Sequence, residues 1–290
     1  MNKYIDLHIH SVYSDGILTV EEIIETAKNN NAKIIAITDH DNIDGSKELL
    51  LKINSDPLLS AVSGVELSTV YSWNNHKVKI HLLGYNIDIN DSFFSSELIN
   101  KRNSRKKQNI DYTKKLLSNC CIPDYGIFEH VDFSKHVYLK KLLINYFSNV
   151  GIDCTAIIRY FQESPIQYID YDFSLEQALS MIHNTGGLAV LAHPYQTKLD
   201  NTNLELMVSS LVDQGLDGIE STYARASNQD NLFAGFLAKK YNLLETCGSD
   251  FHTFIYGNFI AYGKDNNLCI DNCSLMDWLI KNGKERYTKN

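Results

Sequence analysis

Apolar and polar residues alternate along most of the chain in a pattern that predicts strands and helices in turn. Residues 4–10 alternate strictly and predict a first strand, and residues 34–37 form a continuous apolar run typical of a strand buried on both faces. Between them, Thr19 and Glu22 have the spacing of a capping box that begins a helix. A strand, a helix and a second strand in this order predict a parallel βαβ unit.

The same alternation continues on both sides of a long interruption. Further strands are predicted at 59–67, 78–85, 188–192, 218–221 and 243–247, and helices at 46–53, 175–183, 204–214, 231–241 and 275–280. From about residue 90 to residue 173 this rhythm stops, and the sequence is mostly helical, with one helix predicted at 138–148. We therefore predict a domain formed by residues 1–90 and 174–290, with an inserted helical cap domain at 91–173.

Composition excludes several classes of protein. The 290 residues are 44% hydrophobic and 21% charged, which is typical of a globular protein with a core. The net charge of -8 argues against binding to double-stranded DNA or to an acidic membrane. The sequence predicts neither a signal peptide nor an apolar run near the roughly 18 residues of a membrane helix. The cysteines have no C-x-x-C spacing, so we expect reduced thiols in a cytoplasmic protein.

Histidines and carboxylates are concentrated at the predicted strand ends. His8 and His10 are two apart in the first strand, so their side chains point to the same face. Glu66 lies inside an apolar run, where an unpaired carboxylate would be unfavourable. In a parallel barrel, residues just after the C-terminal strand ends converge on one face, so we predict a metal site there. The nine candidate ligands are His8, His10, Asp15, His40, Glu66, His81, His193, Asp250 and His252.

The sequence around these residues closely resembles the motifs of the polymerase and histidinol phosphatase (PHP) family. The motifs are Asp6-Leu7-His8-Ile9-His10, Thr38-Asp39-His40-Asp41, Gly64-Val65-Glu66, His81, Ala192-His193-Pro194 and Gly248-Ser249-Asp250-Phe251-His252. The resemblance covers both barrel segments in order and the insertion only loosely. It implies an α/β fold, a distorted (β/α)7 barrel of the PHP type, with a mostly helical insertion domain.

Matched position by position, the resemblance also implies two to three divalent metal ions. One would be bound by His8, His10, Glu66 and Asp250, a second by Glu66, His81 and His193, and a third by Asp15, His40 and His252. Glu66 would bridge the first two. Histidine nitrogen and carboxylate oxygen without thiolate suit Zn²⁺, Mn²⁺ or Fe²⁺, and the residues do not distinguish among them. A hydroxide shared by the metals would be the nucleophile.

Two aspartates near the candidate ligands receive other roles. We interpret Asp39 as a residue that orients a ligand, and Asp41 as a helix cap. Of the other histidines, we interpret His76, His130 and His183 as exposed or capping residues.

The resemblance implies a metal-dependent phosphoesterase that hydrolyses phosphate monoesters, of nucleotides or of short oligonucleotides. Two alternatives are a histidinol-phosphate phosphatase, against which the long insertion counts, and a non-catalytic metal-binding PHP module, against which the complete ligand set counts. The chain departs from the family pattern at residues 195–198, where an arginine is frequent, and at residues 221–225, where an aromatic residue and a histidine are frequent. Both departures lie where substrate is expected to bind, so they affect substrate identity.

A basic segment of the insertion supplies candidate substrate-binding residues. Arg102 and Arg105 are three apart on a predicted helix, so they share a face, and Lys106 adjoins them. A solvated basic face is the alternative. With His136, these arginines are predicted to bind a second phosphate of a small phosphorylated substrate such as a nucleotide, because a guanidinium binds phosphate oxygens in a bidentate manner. The sequence does not predict an oligomeric state.

Overall fold

The computed structural model describes residues 4–53, 56, 58–73, 76–134, 139–165, 172–256, 259–261, 268 and 273–275. Its strands are β1 (Tyr4–Ile9), β2 (Ala32–Ile37), β3 (Ser60–Ala61), β4 (Gly64–Trp73), β5 (His76–Tyr85), β6 (Phe173–Ser174), β7 (Leu188–Leu191), β8 (Gly218–Tyr223) and β9 (Leu244–Gly248). Its helices are α1 (Val20–Asn29), α2 (Asp44–Ile53), α3 (Ser92–Cys120), α4 (Ile127–His130), α5 (Leu139–Asn149), α6 (Thr155–Glu163), α7 (Leu175–Asn184), α8 (Asn201–Asp213) and α9 (Asn228–Tyr241).

The chain divides into two compact units. One is formed by Met1–Ser95 with Phe173–Asn290, and the other by Ser96–Asp172. The second unit has its own apolar cluster, in which Leu116, Ile127 and Phe147 are buried. The cap role predicted for residues 91–173 stays a prediction.

Strand pairing in the first unit gives two sheets among the described residues. One has the order β1-β2-β3, and the other has the order β6-β4-β5-β7-β8-β9. Strand β5 is antiparallel to both β4 and β7. For the β4–β5 pair the reason is the connection between Trp73 and His76, which is far too short for the crossover that a parallel pair requires. The fold is therefore mixed α/β, and the predicted seven-stranded barrel is not established by the strand pairing.

Several element boundaries differ from the prediction, and one of these differences changes the position of Glu66 within its strand. The single strand predicted at 59–67 is wrong, because β3 ends at Ala61 and β4 begins at Gly64. The N–H of Val62 still donates to Ile35, in the first sheet, whereas Gly64 pairs with Tyr85 in the second. The chain thus changes sheets between these residues, which ends one strand and begins the next. The helix predicted at 275–280 lies largely outside the described residues.

The strands that carry the site residues are fixed by burial on both faces. Along β2, Ile34 and Ala36 belong to one apolar cluster, while Ile35 and Ile37 belong to another. This alternation explains the continuous apolar run in the sequence. The predicted capping box at Thr19 is confirmed, since its side chain accepts a hydrogen bond from the Glu22 N–H.

Two other features of the described residues bear on the predictions from composition. Within the described ranges, none of the helices combines the length and the hydropathy that crossing a lipid bilayer requires. Five cysteines are described, and none of these five forms a disulfide bond.

Candidate metal centre

Seven of the nine predicted ligands fall into three overlapping groups, within each of which the ligand atoms lie within 4.8 Å of one another. The groups are His10, Asp15, His40 and His252; His8, His10 and Glu66; and His40, Glu66 and His81. The two other residues contact these groups. His193 Nε2 is 3.0 Å from Glu66 Oε1, and Asp250 Oδ1 is 3.2 Å from His10 Nε2. The structure therefore brings all nine side chains together.

Glu66 lies at the centre of this cluster. Its side chain is fully buried, with Oε1 2.8 Å from His81 Nδ1. Its Oε2 atom is 3.0 Å from His40 Nδ1 and 3.1 Å from His10 Nε2. Burial by itself raises the pKa of this carboxyl, but the positive charges of the neighbouring histidines, His40 first, hold the pKa well below its usual range. Glu66 is therefore a carboxylate, and it faces imidazoles on both oxygens.

The sequence predicted that all nine residues lie at or just after strand ends, but two of them lie within strands. Glu66 is the third residue of β4, and His81 lies in the middle of β5. The two strands pair along their whole length, from Gly64 opposite Tyr85 to Trp73 opposite His76, so both extend past the site. The other ligands lie at or just after the ends of β1, β2, β7 and β9, as predicted.

Unusual backbone angles occur at three residues of the site. Asp41, His193 and Asp250 have φ values of 48°, 26° and 51°, a region that residues other than glycine seldom adopt. Hydrogen bonds hold two of these turns: the Asp41 N–H donates to the Glu66 carbonyl at 2.8 Å, and the His193 N–H donates to Glu220 Oε2 at 2.7 Å. Conformations of this kind persist where the surrounding contacts impose them.

Asp39 contacts the loop that follows β1. Its carboxylate accepts hydrogen bonds from the Ser11 N–H at 2.8 Å and from the hydroxyls of Ser11 and Ser14. Ser14 Oγ in turn is 3.4 Å from His10 Nδ1. These contacts agree with the predicted role of Asp39 as a residue that orients a ligand.

Asp41 does not cap a helix, so that prediction is wrong. Its carboxylate accepts a hydrogen bond from the Ser68 N–H in β4 at 2.9 Å. Helix α2 begins later, and its first residue, Asp44, donates its N–H to Asn42 Oδ1 at 3.0 Å. The positive φ of Asp41 turns the chain toward β4 before the helix begins.

Glu220, which is fully buried in β8, is not among the residues that the sequence predicted for the site. Its Oε1 atom is 3.0 Å from His8 Nδ1, and its Oε2 atom accepts the His193 N–H. With Nδ1 engaged, His8 presents Nε2 to Glu66 and Asp250, at 3.4 Å and 3.5 Å. The sequence signal was weak, because Glu220 lies in a predicted strand whose next residues, Ser221 and Thr222, are polar, whereas Glu66 lies in an apolar run.

Tyr223 and Arg225 were also missed, and both hold Asp250. The Tyr223 hydroxyl donates to Asp250 Oδ2 at 3.0 Å, and Arg225 Nη2 donates to the same oxygen. Gln196 donates to the Tyr223 hydroxyl at 2.9 Å. Asp250 Oδ1 is thereby left facing His10 and His8. Gln196, Tyr223 and Arg225 all lie in the two segments where the chain departs from the family pattern.

The donor atoms of the cluster fit divalent metal ions. His8 Nε2, His10 Nε2 and Glu66 Oε2 are buried and make no aligned hydrogen bond within the described part of the chain, although Glu66 Oε2 lies 3.4 Å from His8 Nε2 and 3.1 Å from His10 Nε2. Buried polar atoms normally have a hydrogen-bond or metal partner. These three atoms therefore indicate a binding position for a metal ion between them. Imidazole nitrogen and carboxylate oxygen without thiolate are suited to Zn²⁺, Mn²⁺ or Fe²⁺.

Without metal, protons would balance the carboxylates of the cluster. Burial alone would lower the pKa of His10, but the carboxylates of Asp250 and Glu66, which lie 3.2 Å and 3.1 Å from its Nε2 atom, raise that pKa to about 10. Burial opposes protonation of His8 as well, and Glu220 together with Glu66 raises its pKa well above the usual value. Because a ligating imidazole is neutral, metal binding to these residues would release protons.

The predicted substrate-binding residues belong to the other compact unit or lie outside the described part of the chain. Arg102 and Arg105 are on α3, and Arg105 is 4% exposed, so a solvated basic face does not describe that residue. His136 lies outside the described residues. The substrate role of all three stays a prediction. His183, interpreted as exposed or capping, is partly exposed and lies 2.8 Å from Asp217 Oδ2.

Comparison with known proteins agrees with this geometry. The model of the PHP domain family matches residues 6–184. The chain is 29% identical over 256 residues to the 5'-3' exoribonuclease Rnm of Escherichia coli (strain K12), covering 85% of this chain and 84% of that protein. It is 28% identical over 256 residues to the 3',5'-nucleoside bisphosphate phosphatase of Chromobacterium violaceum, covering 86% and 87%. The solved structure of an amidohydrolase from Chromobacterium violaceum, with bound SO4 and no metal, has a TM-score of 0.75 at 25% identity and covers 98% of this chain and 97% of that chain.

Proposed function

The chain belongs to the PHP domain family, and we propose that it is a metal-dependent phosphoesterase acting on phosphate monoesters of nucleotides or short oligonucleotides. The observation that carries the proposal is the convergence of nine histidine and carboxylate side chains on Glu66. The names of two relatives support the substrate class, since one is an exoribonuclease and the other a nucleoside bisphosphate phosphatase.

We propose that two or three divalent ions bind at this cluster. The group around His8, His10 and Glu66 and the group around His40, Glu66 and His81 share Glu66, which supports its role as the bridging carboxylate. Bound ions would supply Lewis acidity toward the phosphoryl oxygens and activate water near neutral pH.

The residues around the ligands fix their orientation. Glu220 holds His8 by Nδ1, so Nε2 is the atom directed into the cluster. Tyr223 and Arg225 hold one oxygen of Asp250, so the other is directed the same way. Ligands that are held by outer partners need little rearrangement when an ion binds.

We also propose that the two sheets of the first unit form one distorted barrel. Ile9, at the end of β1, forms a parallel bridge with Phe251, just after β9. His40 forms a second parallel bridge with Glu66 in β4. These bridges link the three-stranded sheet to the six-stranded sheet at two places, and closure of this kind removes exposed sheet edges.

Reconstitution with Mn²⁺ is expected to give a protein that releases inorganic phosphate from phosphomonoesters faster than it hydrolyses amides or lactones. A cluster rich in charge suits a phosphoryl group, on which negative charge is spread over several oxygens. The assay compares a nucleoside 3',5'-bisphosphate, a 5'-phosphorylated short RNA, histidinol phosphate and p-nitrophenyl phosphate by phosphate release, beside an amide and a lactone.

Each alternative predicts a different outcome of this assay. Preference for histidinol phosphate would replace the nucleotide assignment, and faster amide cleavage would favour an amidohydrolase, the name carried by the similar solved structure. A protein that binds its metals yet hydrolyses none of these compounds would be a non-catalytic metal-binding module.

We further propose that Arg102 and Arg105 bind a second phosphate of the substrate. Such remote binding energy should affect kcat/KM for a doubly phosphorylated substrate more than for a simple one. We expect Arg102→Ala and Arg105→Ala each to lower kcat/KM for a nucleoside bisphosphate and to leave p-nitrophenyl phosphate hydrolysis nearly unchanged. Lys107→Ala, at an exposed position of the same helix, is the control. Equal losses on both substrates, or none, would remove these arginines from substrate binding.

A further inference from the structure

The side chains of the metal centre differ in exposure, and the difference shows where the centre is open to solvent. Glu66 and His10 are fully buried, whereas the side chains of His252, Asp15 and His81 are 19%, 20% and 23% exposed. A phosphorylated substrate must therefore approach from the side of these three residues, which we call the open side. A residue that binds the substrate should lie there and should be partly exposed.

Arg225 is a cationic side chain close to the open side. Its Nη2 atom donates to Asp250 Oδ2, and the other oxygen of Asp250, Oδ1, lies 3.3 Å from Nδ1 of His252. A single carboxylate thus separates the guanidinium from a ligand on the open side. The Arg225 side chain is itself 27% exposed, so solvent reaches part of it.

Two contacts hold the guanidinium of Arg225 in place. Its Cζ atom lies over the ring of Tyr223, 5.3 Å from the ring centre, and one of its nitrogens donates to Asp250. A guanidinium carries five N–H donors in a rigid plane, and the hydrogen bond to Asp250 Oδ2 occupies only part of that plane. A charged group that is already oriented loses little entropy when it binds an anion.

The orientation of Asp250 does not require this arginine. The Tyr223 hydroxyl donates to the same carboxylate oxygen at 3.0 Å, so a neutral donor already holds it. A cation beside a ligand carboxylate also repels a divalent ion bound to that carboxylate, which weakens metal binding. Arg225 is therefore better explained by a negatively charged group that binds beside Asp250 than by the metal ion.

Arg225 remains protonated over the whole physiological pH range. Its burial by itself would lower the pKa, but the carboxylate of Asp250 raises the pKa of Arg225 above its usual value. A permanently charged, planar group of this kind binds two oxygens of a phosphate at once.

We propose that Arg225 binds oxygens of the phosphoryl group that is hydrolysed, so that it contacts the substrate as well as Asp250. The inference rests on the proposed phosphoesterase function. It assigns Arg225 to the reacting phosphoryl group, whereas Arg102 and Arg105 are proposed to bind a second phosphate. The guanidinium stabilises the negative charge of the phosphoryl oxygens in the bound ester and during its hydrolysis.

Binding of inorganic phosphate to the full chain tests this assignment without requiring turnover. The wild type and Arg225→Gln are loaded with saturating Mn²⁺ and titrated with phosphate by calorimetry, and bound Mn²⁺ is measured in both. We expect Arg225→Gln to retain its Mn²⁺ and to bind phosphate about tenfold or more weakly, since a hydrogen bond between charged groups has an energy of this order. Arg225→Lys keeps the charge without the planar fork and should restore part of the affinity.

Two variants separate phosphate binding from effects on Asp250 and on net charge. Tyr223→Phe removes the other donor to Asp250 Oδ2 but leaves the guanidinium, so at saturating Mn²⁺ it should bind phosphate more tightly than Arg225→Gln does. Lys33→Gln, at an exposed position of β2, removes one positive charge elsewhere and should bind phosphate as the wild type does.

Phosphate affinity in Arg225→Gln equal to that of the wild type would overturn the assignment. So would an equal loss of phosphate affinity in Tyr223→Phe, since Arg225 would then act only through Asp250. In the ester assay, Arg225→Gln should lower kcat/KM for p-nitrophenyl phosphate and for a nucleoside bisphosphate alike, unlike Arg102→Ala. If phosphate binding depends on Arg225 but no ester is hydrolysed, the proposed function fails while the phosphate site at Arg225 stands.

Discussion

Replacing Glu66 by Gln is expected to remove most of the bound metal from the chain and nearly all of its phosphoesterase activity. Both oxygens of Glu66 lie within 3.1 Å of imidazole nitrogens, and two of the three groups of candidate ligands contain it. An amide has no negative charge, and its NH2 group would face histidine nitrogens that must be unprotonated to bind a metal. The loss in metal affinity should exceed the roughly 10–100-fold that follows removal of an outer partner.

Asp15→Asn is the matched comparison for this variant. Asp15 is also a carboxylate of the cluster, but its side chain is 20% exposed and belongs to one group only. Metal per chain is measured by elemental analysis after reconstitution with Mn²⁺ and dialysis, together with phosphate release. Asp15→Asn should retain more metal than Glu66→Gln. Equal metal loss in the two variants, or full retention in Glu66→Gln, would refute the bridging role of Glu66.

Replacing Glu220 by Gln is expected to weaken metal binding by about 10–100-fold, although Glu220 is not a proposed ligand. One carboxylate oxygen is 3.0 Å from His8 Nδ1, and the other accepts the His193 N–H. In glutamine, only one of these two atoms is an acceptor. If the amide oxygen stays on His193, the NH2 group donates to His8 Nδ1, and the His8 proton moves to Nε2, the atom directed into the cluster.

The opposite amide orientation is no better, because it places two donors, the NH2 group and the His193 N–H, against each other. Metal affinity is measured by titrating the chelated protein with Mn²⁺, and folding is checked by circular dichroism. Glu176→Gln, at an exposed position of α7, is the control and should bind metal normally. A folded Glu220→Gln protein with unchanged affinity would show that Glu220 does not set the His8 tautomer.

The sequence predicted the composition of the cluster better than its surroundings. Histidines such as His8 and His10 are recognisable because two imidazoles at this spacing share one face of a strand, an arrangement typical of metal ligands. Glu220 gave a weaker signal than Glu66, because polar residues follow it in its strand and none of the family motifs includes it. Tyr223 and Arg225 had no signal of their own, because their contact with Asp250 joins segments that only the tertiary structure brings together.

The pattern of apolar residues also could not predict whether neighbouring strands are parallel or antiparallel. An alternating or continuous apolar run indicates a strand and its buried face, but not whether its neighbour is parallel. The short connection between β4 and β5 held that information, since two residues cannot form a crossover. A parallel assignment placed His81 at a strand end, whereas the hairpin places it in the middle of β5.

The bridge between Ile9 and Phe251 has a consequence for folding during synthesis. Strand β1 can pair with β2 as soon as about forty residues have left the ribosome, since Ile9 pairs with Ile37. Its other side has no partner until the end of the chain is made: the His10 N–H donates to Phe251, and the Ala261 N–H donates to Asp6, 255 residues along the sequence. Contacts between residues so far apart in the sequence form slowly. Until they form, the open edge of β1 can pair with strands of other chains. The first residues of the metal centre to be synthesised are therefore among the last to be enclosed.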